Sequence, residues 1–147
     1  MYMGKPVLFL FLLSASLTDL KYRRITNLHN LFFLIPGIIF CFLDRGITGL
    51  MDGIVTALLI FTFLYMFYGA GCLGAGDIKF IMTVAVYTGH KVLLNSLIPI
   101  GIFSVITAAG FAVYEGGSKK LMIPMAVPVS MGILYGMFFP AESLWFT

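Results

Sequence analysis

The 147-residue chain is 61% hydrophobic and only 10% charged, with a formal net charge of +3 and a mean hydropathy of +1.05. Soluble domains run at about 45–50% apolar and about 25% charged, so this composition excludes a soluble globule, a disordered tail and a nucleic-acid module. The length leaves room for one domain, residues 1–147, and the class that remains is an all-α, polytopic bundle of membrane-spanning helices.

Uncharged runs occupy residues 6–18, 25–43, 53–76, 80–90, 92–114 and 121–141. A spanning helix needs about 20 apolar residues, with a range of about 17–25. Four of the runs reach that length. The first reaches it once residues 1–5 are added, with Lys5 snorkelling outward. The fourth reaches it if its helix begins near Gly76 and carries Asp77 and Lys79 in its first turns. No run shows the period-two alternation of a membrane barrel, so six transmembrane helices are expected. Lys5 ahead of an apolar stretch also fits a signal peptide, but no small-residue cleavage site follows, and a retained first helix is expected. Pro36, Pro99, Pro124 and Pro128 lie inside runs and predict kinks.

Six spans distribute the basic residues unevenly. Lys21, Arg23, Arg24, Lys79, Lys119 and Lys120 fall on one side, and Lys5, Arg45 and Lys91 on the other. The positive-inside rule then puts the first set in the cytoplasm and both termini outside. Cys41 and Cys72 both sit in apolar runs, where a thiol serves as a small core residue.

Ionisable groups in or beside a span are costly and point to function. Asp44, Asp52, Glu115 and Glu142 fall in loops or near the C-terminus and read as solvated charges. Asp19 and Asp77 differ. Asp19 closes the first span and Asp77 opens the fourth, so the topology brings both to the cytoplasmic face. Two carboxylates held close share a proton, the condition for aspartyl proteolysis. The ionised member takes a proton from water, and the protonated member polarises the scissile carbonyl. The competing reading is two independent helix caps. It suits Asp77 at a helix start and suits Asp19 poorly, because a carboxylate at a helix C-terminus opposes the macrodipole. In Gly74-Ala75-Gly76-Asp77-Ile78-Lys79 two glycines precede the acid, leaving bare backbone beside it. Lys79 is expected to snorkel to lipid phosphate.

Three segments together resemble the type IV prepilin leader peptidases. Asp19-Leu20-Lys21-Tyr22-Arg23-Arg24-Ile25-Thr26-Asn27 is similar to the first motif of that family, although Thr26 stands where the family usually has Pro. Gly74-Ala75-Gly76-Asp77-Ile78-Lys79 matches its Gly-x-Gly-Asp-x-Lys motif, and Ile123-Pro124-Met125-Ala126-Val127-Pro128 resembles a late Pro-containing stretch. The resemblance implies a membrane aspartyl protease, without cofactor, that removes the leader of prepilin-like or preflagellin-like proteins at the cytoplasmic face. Asp19 and Asp77 would be its catalytic pair, with Gly74, Gly76 and Lys79 as motif support. Lys21, Arg23, Arg24 and Asn27 are candidates for contact with substrate or lipid. Asp19 lies near the start and the chain has no Cys-x-x-Cys, so the likeness is to small, peptidase-only members, such as those serving Flp-type pili, and to archaeal preflagellin peptidases. No methyltransferase activity is expected.

Two rivals stand beside this reading. A presenilin-type protease also uses Gly-x-Gly-Asp, but its first aspartate lies deep in a span, whereas three bases follow Asp19 here. A small transporter or channel subunit would want acids near the bilayer midplane, and no span has one there. His29 is expected to pack, Asn27 and Asn30 to cap or hydrogen-bond within the bundle, and no metal ligand set is apparent.

Overall fold

A computed structural model describes residues 4–23, 25–69, 74–114 and 124–139. These residues form four α-helices: α1 (Gly4–Tyr22), α2 (Asn27–Gly69), α3 (Ala75–Tyr114) and α4 (Ala126–Phe138). Helices α2 and α3 are long and apolar enough to cross a membrane. The 43 residues of α2 would stretch about 65 Å if straight, about twice the hydrocarbon thickness of a bilayer. They are not straight. Gly46 has φ 68° and ψ −166°, and Gly89 in α3 has φ 71° and ψ −177°. At these two points the backbone leaves the helix in a conformation that glycine adopts without a Cβ penalty. The described residues therefore hold six helical segments.

The break in α2 makes a hairpin. Leu31 and Ile38 of its first half face Ile54 and Leu58 of its second half across a groove completed by Met82 and Val86 of α3. Close approach is enforced at Gly53, where a Cβ would stand 2.7 Å from the Val86 carbonyl oxygen. The second half of α3 packs on α4 through Gly132 and Gly136, which carry no side chain and so admit Ile100 and Ser96. The Gly-x-x-x-Gly spacing lets two helices touch where lipid supplies no hydrophobic drive between them. Helix α1 lies against α4 through hydroxyls: Ser16 Oγ donates to Ser130 Oγ at 2.9 Å, and Ser130 Oγ donates to the Leu12 carbonyl at 3.2 Å. Phe11 is the centre of the core, its ring 4.9 Å from Phe33, 5.2 Å from Phe80 and 5.5 Å from His29. The expectation that His29 packs is met.

The non-helical breaks fall at Gly46 and Gly89, while Pro36 and Pro99 lie inside helices. Two expectations are corrected. The polar stretch between the second and third runs is helical apart from Gly46. Asp44 and Asp52 are engaged within the bundle. Asp44 Oδ2 accepts the Gly4 N–H at 2.9 Å, at the start of α1. Asp52 Oδ2 accepts the His90 N–H at 3.3 Å, just after the Gly89 break, and its other oxygen meets the His90 ring. Arg45 covers the other side of that break by donating to the carbonyls of Val86, Tyr87 and Thr88 at 3.2, 2.7 and 3.3 Å. A break in a helix frees backbone donors and acceptors that must find other partners, and these two side chains supply them at Gly89. Cys41 is buried and accepts from Arg45 at 3.0 Å. Cys72, Glu115 and Glu142 lie outside the described residues.

Candidate active site

Helix α1 ends because Arg23 takes a left-handed φ of 51° and its N–H reaches back to the Asp19 carbonyl at 2.7 Å. This is the single-bond left-handed cap, and it leaves Asp19 in the last turn of α1. The Asp19 side chain is only 3% exposed. Its Oδ2 accepts the backbone N–H of Ala126 at 2.8 Å, at the first residue of α4. Met125, the N-cap position of α4, makes no side-chain cap bond. Asp19 supplies the cap from 107 residues away. The objection that Asp19 opposes the α1 dipole is thereby answered, because the carboxylate also faces the positive N-terminus of α4.

Asp77 occupies the third position of α3. Its Oδ2 accepts the Gly74 N–H at 3.2 Å, while the Gly74 carbonyl accepts from the N–H groups of Asp77 and Ile78. This is the acidic half of a capping box, with glycine in place of the usual hydroxyl residue. Asp77 is half-buried, against the fully buried Asp19.

The loop after Asp19 and the start of α3 are pressed together. A Cβ on Gly76 would stand 2.8 Å from the Ile25 carbonyl oxygen. Asn30 Nδ2 donates to the Gly76 carbonyl at 3.3 Å, and Lys79 Nζ donates to Asn27 Oδ1 at 3.0 Å. Thr26 begins α2, its Oγ1 accepting the His29 N–H at 3.3 Å. Threonine thus fills the N-cap where the related motif has proline. The structure brings Asp19 and Asp77 to one end of the bundle, where the start of α3 meets the loop that follows Asp19.

Of the other candidate residues, Lys79 is held by Asn27 as well as being exposed. Lys21 is exposed, its ammonium 5.2 Å from the Tyr22 ring centre. Arg23 is exposed, and Arg24 lies outside the described residues. No group of three His, Cys, Asp or Glu gathers among the described residues. One contributor escapes sequence reasoning, the Ala126 N–H, which the Pro124 to Pro128 stretch foreshadows because proline suits the first turn of a helix. Asn30, expected to hydrogen-bond within the bundle, does so: it is 4% exposed and its Nδ2 holds Gly76, while its buried Oδ1 has no partner among the described residues.

A model of the type IV leader peptidase family matches residues 6–113. No curated protein and no solved structure gives a match.

Proposed function

Because the chain belongs to the type IV leader peptidase family, we propose that it is an aspartic endopeptidase of the cell membrane that removes the leader of prepilin-like or preflagellin-like precursors. In this reading the 147 residues form one domain of six spans. Both termini are external, and Asp19 and Asp77 are the catalytic pair at the cytoplasmic face. The carrying observation is the close packing of Gly76 on the Ile25 carbonyl, which joins the helix start bearing Asp77 to the loop that follows Asp19.

The chemistry follows from two carboxylates sharing one proton. The ionised member takes a proton from a water molecule as the water oxygen bonds to the scissile carbonyl carbon. The protonated member hydrogen-bonds to the carbonyl oxygen and stabilises its developing charge. Collapse of the tetrahedral intermediate breaks the C–N bond, and the departing amine takes up the proton. No metal or cofactor enters. Asp19 is held by Ala126 and α4, and Asp77 by Gly74, so both carboxylates are oriented before substrate arrives.

The test is precursor processing in membranes at matched protein levels. Asp19→Asn and Asp77→Asn should each abolish cleavage, and the double variant should be scarcely worse than either, since the pair acts as a unit. Near-normal processing by Asp19→Asn would make Asp19 a helix cap and nothing more.

A further inference from the structure

Helices α1 and α4 meet along a seam that ends at Asp19. Leu12, Ser16 and Asp19 recur at helical spacing on one face of α1, and Ala126 and Ser130 stand one turn apart on α4. The contacts pair in antiparallel order. The Asp19 carboxylate accepts the Ala126 N–H at 2.8 Å, Ser16 Oγ donates to Ser130 Oγ at 2.9 Å, and Ser130 Oγ donates to the Leu12 carbonyl at 3.2 Å. Ser16 Oγ also lies 3.4 Å from the Ala126 carbonyl oxygen. The hydroxyl pair thus stands about one helical turn from the bond that orients Asp19.

The side chains around the hydroxyls are apolar and buried. Leu12, Ala15, Val129 and Ile133 are each 2% exposed or less, and Ser130 itself is 5% exposed. Apolar contact is non-directional, so it holds two helices together without fixing how far one is displaced along the other. A hydrogen bond does fix it, because it weakens steeply with distance and angle. Gly132 and Gly136 seat α4 on α3. Toward α1, the directional contacts among the described residues are the two hydroxyls and the Asp19 bond. A helix start offers up to four N–H groups without intrahelical partners, about 1.5 Å apart along the axis. A lone carboxylate does not select among them, and a second contact one turn away does.

We propose that Ser16 and Ser130 are positioning residues for the cleavage reaction: their hydroxyl bonds set the register of α4 on α1, so that Asp19 takes the N–H of Ala126 and not that of Val127. Both act through α4 on the orientation of Asp19. For its effect on turnover the inference rests on the peptidase reading above, while the register itself is independent of it.

The experiment uses the full chain in phosphatidylethanolamine vesicles, with a synthetic precursor as substrate and kcat counted per folded molecule. Ser130→Ala removes both hydroxyl bonds across the seam yet leaves no orphan, because Ser16 Oγ already stands 2.8 Å from the Leu12 carbonyl of its own helix. It should lower kcat about tenfold or more with KM unchanged, since a displacement of about 1 Å costs on the order of 100-fold. One limb of its pH profile should move to higher pH by up to about one unit, because an N–H bond favours the ionised carboxylate. Ser16→Ala keeps the bond from Ser130 to Leu12 and should fall between the wild type and Ser130→Ala; it carries the same comparison should Ser130→Ala fail to fold. Ser96→Ala is the control and should match the wild type. It deletes an equally buried hydroxyl that packs on α4 at Gly136 and bonds only to Val92 of its own helix. A second readout needs no turnover: hydrogen exchange at the Ala126 amide should speed in Ser130→Ala and stay slow in Ser96→Ala. Unchanged exchange in Ser130→Ala, or an equal loss of kcat in Ser96→Ala, would overturn the register proposal while leaving the peptidase reading in place. Failure of the wild type to cleave any precursor would overturn that reading and the role in turnover with it, and the exchange rates would still decide the register.

Discussion

Gly76→Ala separates positioning of the site from stability of the fold. Gly76 lies in the first turn of α3, where alanine is the better helix former by about 1 kcal/mol. Propensity alone therefore favours the variant. The added methyl, however, would stand 2.8 Å from the Ile25 carbonyl oxygen, and carbon–oxygen contacts relax only at about 3.3–3.6 Å. The α3 start and the loop after Asp19 must part by about 0.5 Å or more. Because the obstacle is backbone, no rotamer change relieves it. A displacement of about 1 Å at a reacting centre costs on the order of 100-fold, so the expected loss in kcat is about 10-fold to 100-fold. Thermal unfolding in detergent should change little. Trimming the neighbour with Ile25→Ala in the same background should not restore activity, since Ile25 Cβ already sits at an ordinary 3.8 Å. Gly110→Ala is the control, with nothing within 4 Å of its added methyl. The assay is steady-state cleavage of a precursor by protein quantified as folded. Near-wild-type kcat for Gly76→Ala would refute the claim that this packing sets the distance between the two carboxylates.

Arg23→Gly should retain cleavage and leave the fold equal or firmer. The left-handed backbone at Arg23 costs a non-glycine residue about 1–2 kcal/mol, and glycine removes that cost while losing about 0.5–1 kcal/mol to chain entropy. Lost cleavage with an intact thermal transition would instead assign the guanidinium to substrate. Asp52→Ala removes the cap on the helix segment after Gly89 and should lower stability by about 0.5–2 kcal/mol. Its turnover per folded molecule should match the wild type, because Asp52 lies at the end away from the aspartates. The rate against pH should be bell-shaped. On the acid side activity falls as the ionised aspartate takes up a proton, and on the alkaline side as its protonated partner loses one. A profile flat across the carboxylate range would speak against a shared proton.

The all-helical, apolar class was legible in the sequence because mean composition carries it, and so was the placing of Asp19 and Asp77 at one end of the bundle. The helix breaks were legible only as charged interruptions between apolar runs. Proline marks where a donor is missing, but Pro36 and Pro99 are absorbed in helices, while Gly46 and Gly89 turn the chain with a positive φ. Asp44, Arg45 and Asp52 looked like loop charges because their partners, Gly4, Thr88 and His90, are each 38 or more residues away. The same distance hid the state of Asp19. Local reasoning set its carboxylate against the dipole of its own helix, and only the fold brings up the N-terminus of another. The packing of Gly132 and Gly136 on Ile100 and Ser96 was not read from the sequence, because which helix a glycine admits is decided by packing alone.

The bond between Asp19 and Ala126 joins the first helix to the last, and it therefore has a history in time. During synthesis the ribosome delivers Asp19 long before its donor. At about 5–20 residues per second, the 107 residues between them take roughly 5–20 s to make. Asp77 joins the nascent chain about midway through that interval, and until its end the carboxylate of Asp19 lacks the backbone group that orients it. If Asp19 is catalytic as proposed, order of synthesis alone keeps the unfinished chain inert, and the docking of α4 is the event that completes the site.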